Sequence, residues 1–503
     1  MRHVFQYVAA SVFVPVIVTS LLEHSPAAER PPNLVLIMTD NHGPWTLGCY
    51  GNRDIKTPHI DRLAERGTLF LHAFANNAVC SPTRASVLTG LMPCQHGVHR
   101  YLSGPTQIGP QAYNTLEEFD TLPSILVDNG YVAGLCGKWH LGGEIEPHEG
   151  FSYWITKPAG HSVGFYDQQV IEDGEIRTEP KYLTDLWTEH GIRFIEQNRD
   201  RPFFLYLAYN GPYGLGRAMR EPIRNRHAEG YADQSLDSFP RTEPQPWNFN
   251  YGSWIGDKQV IRKYAAEVSG IDDGVGRIMQ TLDEQKLTEN TLVIFMADQG
   301  LAGGHAGYWG MGDHTRPLTA FDWTMTIPLI FHWPGKVDSG RREERMVSNY
   351  DLLPTILSEF GVNTQARAKL KRPGRDFSPM LRGEAIPWEN EHFYEFENVR
   401  AIRTDRWKYI ERIHQQPNEL YDLAEDPQEH KNLYGDPNYA DRVVELRKRL
   451  YRFFEEHADP KWDLWRGGGT KTDLITEKFF GIKNPYAPSR YLPDGSPNEN
   501  RTP

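Results

Sequence analysis

Disulfide chemistry is the first thing this chain lacks. Its 503 residues carry four cysteines, Cys49, Cys80, Cys94 and Cys136, too few for the cross-linked scaffold of a small exported protein. If Cys80 is used in chemistry, at most one bridge can form. A long basic run is also missing, and 54 Lys and Arg against 66 Asp and Glu leave a net charge of −12. That balance excludes nucleic acid as a natural partner, and an anionic substrate must be met by a local cluster of positive charge. The sequence has no internal repeat and no low-complexity tract, so it is not an array of stacked units.

Long apolar runs are confined to the N-terminus. Met1-Arg2-His3 precede a mostly apolar stretch from Tyr7 to Leu22, and Ser25-Pro26-Ala27 supplies small residues of the kind a signal peptidase cuts after. This predicts a secretory signal over residues 1–27, with the mature chain starting near Ala28 and exported to the periplasm or beyond. No other segment is apolar enough to span a bilayer, so no stable membrane span is expected. With 39% hydrophobic and 24% charged residues, the remainder reads as a soluble globular chain long enough for a large core and two domains.

What is present is a series of buried-strand patterns with polar ends. Asn33-Leu34-Val35-Leu36-Ile37-Met38 is apolar on both faces and runs into Thr39-Asp40-Asn41, the kind of strand end where open α/β sheets place ligands. Thr291 to Ala297 repeats the pattern and ends in Asp298-Gln299. Side by side, two such ends offer two carboxylates and two amide oxygens, a donor set that suits Ca²⁺ rather than zinc. Tyr131 to Gly137 leads to Lys138-Trp139-His140, where Lys138 and His140 would point to one side in extended chain. Pro202 to Tyr209 is another buried strand, ending in Asn210-Gly211-Pro212-Tyr213.

Thr57 to Gly67, Leu122 to Asn129, Lys263 to Glu284 and Tyr350 to Phe360 have helical spacing, and Thr68 to Phe74 reads as one strand. Gly214 to Gly256 is a polar excursion rich in Arg, Pro and Trp with little periodicity, a surface loop that would shape the mouth of a site. Between the first strands lies Cys80-Ser81-Pro82-Thr83-Arg84, followed by helical Ala85-Ser86-Val87-Leu88. The unpaired amides of a helix start favour an anion there. Beyond about residue 385 the texture changes, with a hairpin at Arg400 to Ile410, a helix at Ala440 to Glu456, and a tail rich in Gly, Pro and Asn from Arg466.

Cys80-x-Pro82-x-Arg84 with Leu88-Thr89-Gly90, Gly137-Lys138-Trp139-His140-Leu141-Gly142, Asp40-Asn41, Asp298-Gln299, and Glu419 to Leu423 with Glu425-Asp426-Pro427 together resemble the type I sulfatases of the alkaline-phosphatase-like superfamily, over nearly the whole chain to about residue 435. The resemblance implies an α/β fold: a large domain with a central, mostly parallel sheet flanked by helices (28–384), a smaller C-terminal α+β domain with an antiparallel sheet (385–465), and an irregular tail (466–503). It implies calcium- and formylglycine-dependent hydrolysis of a sulfate ester, with a sulfated carbohydrate as the expected substrate and a formylglycine-generating enzyme as maturation partner. Cys80 would be oxidised to formylglycine, whose hydrate offers one hydroxyl to attack sulfur and a second to expel sulfate. Arg84 would hold that hydrate, Asp40, Asn41, Asp298 and Gln299 would bind Ca²⁺ together with residue 80, Lys138 would bridge sulfate and nucleophile, and His140 would be the base of the elimination step.

Three positions depart from the pattern. Asn41 stands where the family commonly has aspartate, removing one negative charge from the cation site. Tyr213 stands where a histidine usually meets the sulfate, which leaves His314 as a candidate leaving-group acid. Met311 stands where a lysine usually follows Trp-Gly, and Arg316 is the candidate replacement. Phosphonate or phosphodiester hydrolysis on the same fold, or non-catalytic binding of sulfated glycans, are the alternative readings.

Overall fold

The computed structural model describes Met1 and residues 30–248, 250–362, 370–413 and 417–476. Apart from Met1, most of the predicted signal and the tail from residue 477 lie outside the described residues. A ten-stranded sheet forms the centre of the molecule. Its middle five strands are Thr291–Ala297, Asn33–Asp40, Phe203–Pro212, Val132–Gly137 and Phe151–Thr156 in spatial order, all mutually parallel. Strands on both flanks run antiparallel to this block, Leu329–His332 on one side and Gln168–Glu172 on the other.

The expected two-sided burial follows from the pleat. Along Asn33–Asp40, Val35 and Ile37 enter one core cluster while Leu34, Leu36 and Met38 enter another. The first cluster packs under the helices Pro58–Glu65, Leu183–Asn198 and Lys258–Glu284, the second under Cys80–Thr89, Leu122–Asp128 and Leu352–Glu359. Thr68 to Phe74, expected as one strand, is two. Thr68–Phe70 belongs to the large sheet and Ala73–Phe74 to a three-stranded one. The chain crosses between them where the Leu71 amide donates to Glu343 O (2.9 Å) and His72 O accepts from Val347 N (3.0 Å).

A four-stranded antiparallel sheet follows, Glu391–Phe396, Val399–Thr404, Trp407–Arg412 and Glu419–Asp422. The helix Ala440–His457 packs Val443, Leu446, Leu450 and Phe454 against it. The chain then returns to the large sheet's side. Asp459 N donates to Cys94 O (3.1 Å), Lys471 N to Gly97 O (2.8 Å), and Lys471 Nζ to Thr115 O (2.7 Å). Ile475 N and Thr476 N close the segment on the Glu397 carboxylate. All four cysteines are free, and no helix among the described residues is long and apolar enough to cross a membrane.

Candidate active site

The carboxyl ends of the parallel strands converge on Cys80. Thr39 and Ala297 are register partners, so Asp40 and Asp298 emerge side by side. Their carboxylates and the Cys80 sulfur lie within 4.8 Å of one another, all buried. Cys80 begins the helix Cys80–Thr89 behind an extended Val79. Its Sγ is 3.7 Å from Asp40 Oδ1 and accepts from Gln299 Nε2 at 3.3 Å. Burial and the Asp40 carboxylate push the thiol up to about 12, so the unmodified side chain is a protonated thiol.

One helical turn on, Arg84 shares the face of Cys80. Its Nε and Nη2 donate to Asp298 Oδ2 at 3.0 and 2.8 Å, Nη2 also to Asp40 Oδ2 at 3.2 Å, and Nη1 to Lys138 O at 2.9 Å. Lys138 Nζ completes the group with a charged hydrogen bond to Asp40 Oδ2. Burial opposes the Lys138 charge, but Asp40 outweighs it and the ammonium titrates above its usual range. Asp298 is pushed up to about 6, by burial and then by the neighbouring Asp40.

Extended geometry does not carry Lys138 and His140, contrary to the expectation from their spacing. The strand ends at Gly137, whose φ of 118° and close approach to Ala208 O, where a Cβ would sit 1.9 Å away, exclude any side chain. His140 has a positive φ of 59°. The turn still brings both groups to one place: Lys138 reaches Asp40, and its charge, after burial, helps hold the His140 pKa well below the usual histidine range. His140 Nε2 lies 3.4 Å from Leu102 O while Nδ1 is buried without a partner. A carbonyl can only accept, so Nε2 carries the hydrogen and Nδ1 presents a lone pair, the form a base needs.

The same pocket has acceptors to spare. Asn41, at φ 53°, directs Nδ2 to Met311 Sδ (3.1 Å) and leaves Oδ1 buried without a hydrogen bond. Gln299 Oε1 is likewise buried and unpartnered. Two orphaned amide oxygens beside two crowded carboxylates fit a hard cation with oxygen ligands.

On the opposite side, Tyr213 has φ 64° and hydrogen-bonds its amide to Asp40 O (2.9 Å), with Lys138 Nζ 5.7 Å from its ring centroid. Burial, then Cys80 and Asp40, hold its phenol well above the ordinary range, so it is a weaker acid still. His314 is buried, with its ring edge-on to Tyr251 (4.8 Å) and Nδ1 3.3 Å from Asp313 Oδ1. Burial lowers its pKa. Arg316 Nη1 donates to Asp313 O and Thr315 O, each at 2.7 Å, which braces its own turn. In the 214–256 excursion Trp254 is buried and Trp247 packs on Phe321 (5.0 Å) and Tyr308 (5.6 Å), so these indoles serve the fold.

Residues 32–362 match the Sulfatase family, and residues 312–456 match the C-terminal region of N-sulphoglucosamine sulphohydrolase. The chain belongs to the sulfatase family. It is a type I sulfatase of the alkaline-phosphatase-like superfamily, and therefore a sulfuric ester hydrolase. N-acetylglucosamine-6-O-sulfatase of Bacteroides thetaiotaomicron is 26% identical over 510 residues, covering 86% of this chain and 87% of its own. N-sulphoglucosamine sulphohydrolase of Homo sapiens is 27% identical over 511 residues, covering 89% and 94%. Among solved structures, a putative sulfatase from Bacteroides fragilis superposes with a TM-score of 0.73 at 24% identity, over 86% of this chain and 97% of that one.

Some pocket residues of this sulfatase are absent from its motifs. Tyr206 OH receives Arg84 Nη1 at 3.4 Å. Beside His140, a wall is built from Arg100 and Tyr101 and from the loop that follows Phe151–Thr156, including Lys157 and His161. The ring of His161 lies 5.4 Å from that of His140 and 4.6 Å from that of Tyr101. The available signal was positional: Lys157 immediately follows a parallel strand adjacent to the one that delivers Lys138.

Proposed function

We propose that this sulfatase removes sulfate from a sulfated carbohydrate after export, with Cys80 matured to formylglycine and Ca²⁺ held by Asp40, Asn41, Asp298 and Gln299. The observation that carries this reading is the meeting of Cys80, Asp40 and Asp298 within 4.8 Å, next to two amide oxygens that lack any partner. The names of the two relatives support a sulfated amino sugar as the class of substrate, and the Tyr7 to Leu22 stretch supports export.

Once present, formylglycine would supply an oxygen nucleophile at position 80, and calcium would supply positive charge beside it and the sulfate. The chain's own groups do the rest. Arg84 clamps both carboxylates, so the cation ligands and residue 80 keep a fixed geometry. Lys138 projects its ammonium toward the same point, where it can neutralise a sulfate oxygen. His140, neutral and with Nδ1 unhindered by any hydrogen bond, can accept a proton from an oxygen on residue 80 as sulfate departs. Tyr213, His314 and Arg316 are the candidates for the leaving-group side; burial raises the Tyr213 phenol and lowers the His314 imidazolium, so both are weakened as proton donors and substrates whose alcohol needs little protonation suit this pocket best.

The test is Cys80→Ala in protein made with its maturation enzyme. Hydrolysis of an aryl sulfate should fall by on the order of 10⁴-fold or more, and mass spectrometry of the wild-type Cys80 peptide should find the lighter aldehyde. Retained hydrolysis in the alanine variant, or an unmodified thiol in active protein, would refute the assignment.

A further inference from the structure

Buried positive charges in this protein follow a rule with two exceptions. Among the described residues, Arg84 and Lys138 in the site and Lys263, Arg400, Lys408, Arg412 and Lys471 elsewhere are buried, and each holds a carboxylate. Arg100 and Lys157 are equally buried, at 5% exposure each, and neither has a carboxylate within ion-pair distance. A buried charge without a counter-ion is costly, so such groups are normally paired.

The two exceptions flank one residue. Arg100 lies over the Tyr101 ring (4.0 Å to the centroid), hydrogen-bonds the Tyr101 hydroxyl, and leaves Nε buried with no partner. The Tyr101 ring also meets the imidazole of His161, edge-on at 4.6 Å between centroids. Lys157 Nζ has His161 O at 3.4 Å and Gln168 Oε1 at 3.5 Å, both at the outer limit of a hydrogen bond. His161 feels both charges, and after burial and Lys138 they help lower its pKa to about 4. Burial and Lys138 likewise lower Lys157 to about 7. The carboxylates that sense these cations are already engaged: Glu397 accepts from Ile475 N, Thr476 N and Thr476 Oγ1, and Asp40 from Lys138 and Arg84.

This wall stands against the reaction centre. A Cβ on Gly160 would come within 2.0 Å of the His140 ring, so the loop from Lys157 to His161 rests directly on the predicted base.

We propose that Arg100, Tyr101, His161 and Lys157 form a second anion subsite beside His140, which takes another anionic group of the substrate, a second sulfate or a carboxylate, on or next to the sugar that bears the scissile sulfate. The proposal rests on the sulfatase reading above and deepens it, from any sulfated sugar to one with two negative groups. The bound anion supplies the counter-ion that Arg100 and Lys157 otherwise lack. Arg100 offers Nε, and a protonated His161 would add a second donor once the anion offsets the surrounding positive charge.

The experiment measures kcat/KM of the mature full-length enzyme on three defined sugars: a monosulfated one without other charge, the same sugar with a second sulfate, and the monosulfated sugar linked to a uronic acid. Wild type should prefer one of the doubly charged sugars, and which one identifies the second group as sulfate or carboxylate. In Arg100→Gln and Lys157→Met the ratio of doubly to singly charged substrate should fall by on the order of thirtyfold, and Lys157→Arg should recover most of it. No wild-type preference, or equal losses on all three sugars, would overturn the subsite and leave these residues a bracing role. If the enzyme cleaves aryl sulfate yet shows no such preference, the subsite alone fails. If it cleaves no sulfate ester, the reaction assignment fails, and calorimetry of the disulfated against the monosulfated sugar on wild type and Arg100→Gln still decides the subsite: binding that favours the second sulfate and is lost in the variant supports it, and equal binding overturns it.

Discussion

Beneath Cys80, Arg84 and Lys138 are answered in direct contact by Asp40 and Asp298, and the Asn41 and Gln299 amide oxygens beside them are buried without a hydrogen bond. Along the neighbouring wall, among the described residues, Arg100 and Lys157 meet no carboxylate, and burial lowers the pKa of both His140 and His161. The first region is internally balanced and needs only the scissile sulfate and its metal. The second is balanced only when something else binds. On the two proposals above, the floor serves the reaction and the wall the choice of sugar.

That contrast can be broken by substitutions on either side. The largest effect is expected at Lys138→Met, which leaves Asp40 without its ammonium and the sulfate without a positive neighbour. Its kcat/KM on an aryl sulfate should drop about 10³-fold, and a drop below tenfold would remove Lys138 from the floor. His140→Gln should lower kcat by about 10²-fold with little change in KM, as loss of a proton acceptor requires. A change in KM alone would make His140 a binding group. Arg316→Ala is expected to cost about tenfold in kcat/KM, and no change would confine Arg316 to bracing its turn at Asp313 O and Thr315 O. The smallest effect is expected from Asn41→Asp. Restoring a carboxylate should lower the calcium concentration needed to recover activity after chelation by several-fold, and an unchanged calcium requirement would place the ion elsewhere.

Much of the floor was legible from local pattern. Asp40 and Asp298 follow apolar runs that suit buried parallel strands, and Cys80 and Arg84 are spaced one helical turn apart, so local pattern carries both pairs. The wall was not legible for the same reason that it is specific. Lys157 reads as an ordinary strand-end lysine, and only the pairing of Phe151–Thr156 with Val132–Gly137, together with the loop folding back over His140, buries it. Arg100 depends on its contact with Tyr101, whose ring in turn meets His161 some sixty positions away in the sequence. The division of Thr68 to Phe74 into two strands was hidden likewise, because the partners Glu343 and Val347 come from far along the chain.

The segment after the last long helix bears on how the protein can be handled. Asp459 and Lys471 lace it to Cys94 and Gly97, immediately before Arg100, while Ile475 and Thr476 fasten it to Glu397 of the small sheet. Heat should therefore dissolve both sheets in a single calorimetric transition rather than two. A chain shortened to end at residue 458 would not be a smaller enzyme with its catalytic lobe intact. It would be one whose sugar-facing wall has lost its clasp, and a protease nick in this strap should be felt at the cleft before it is felt in the core.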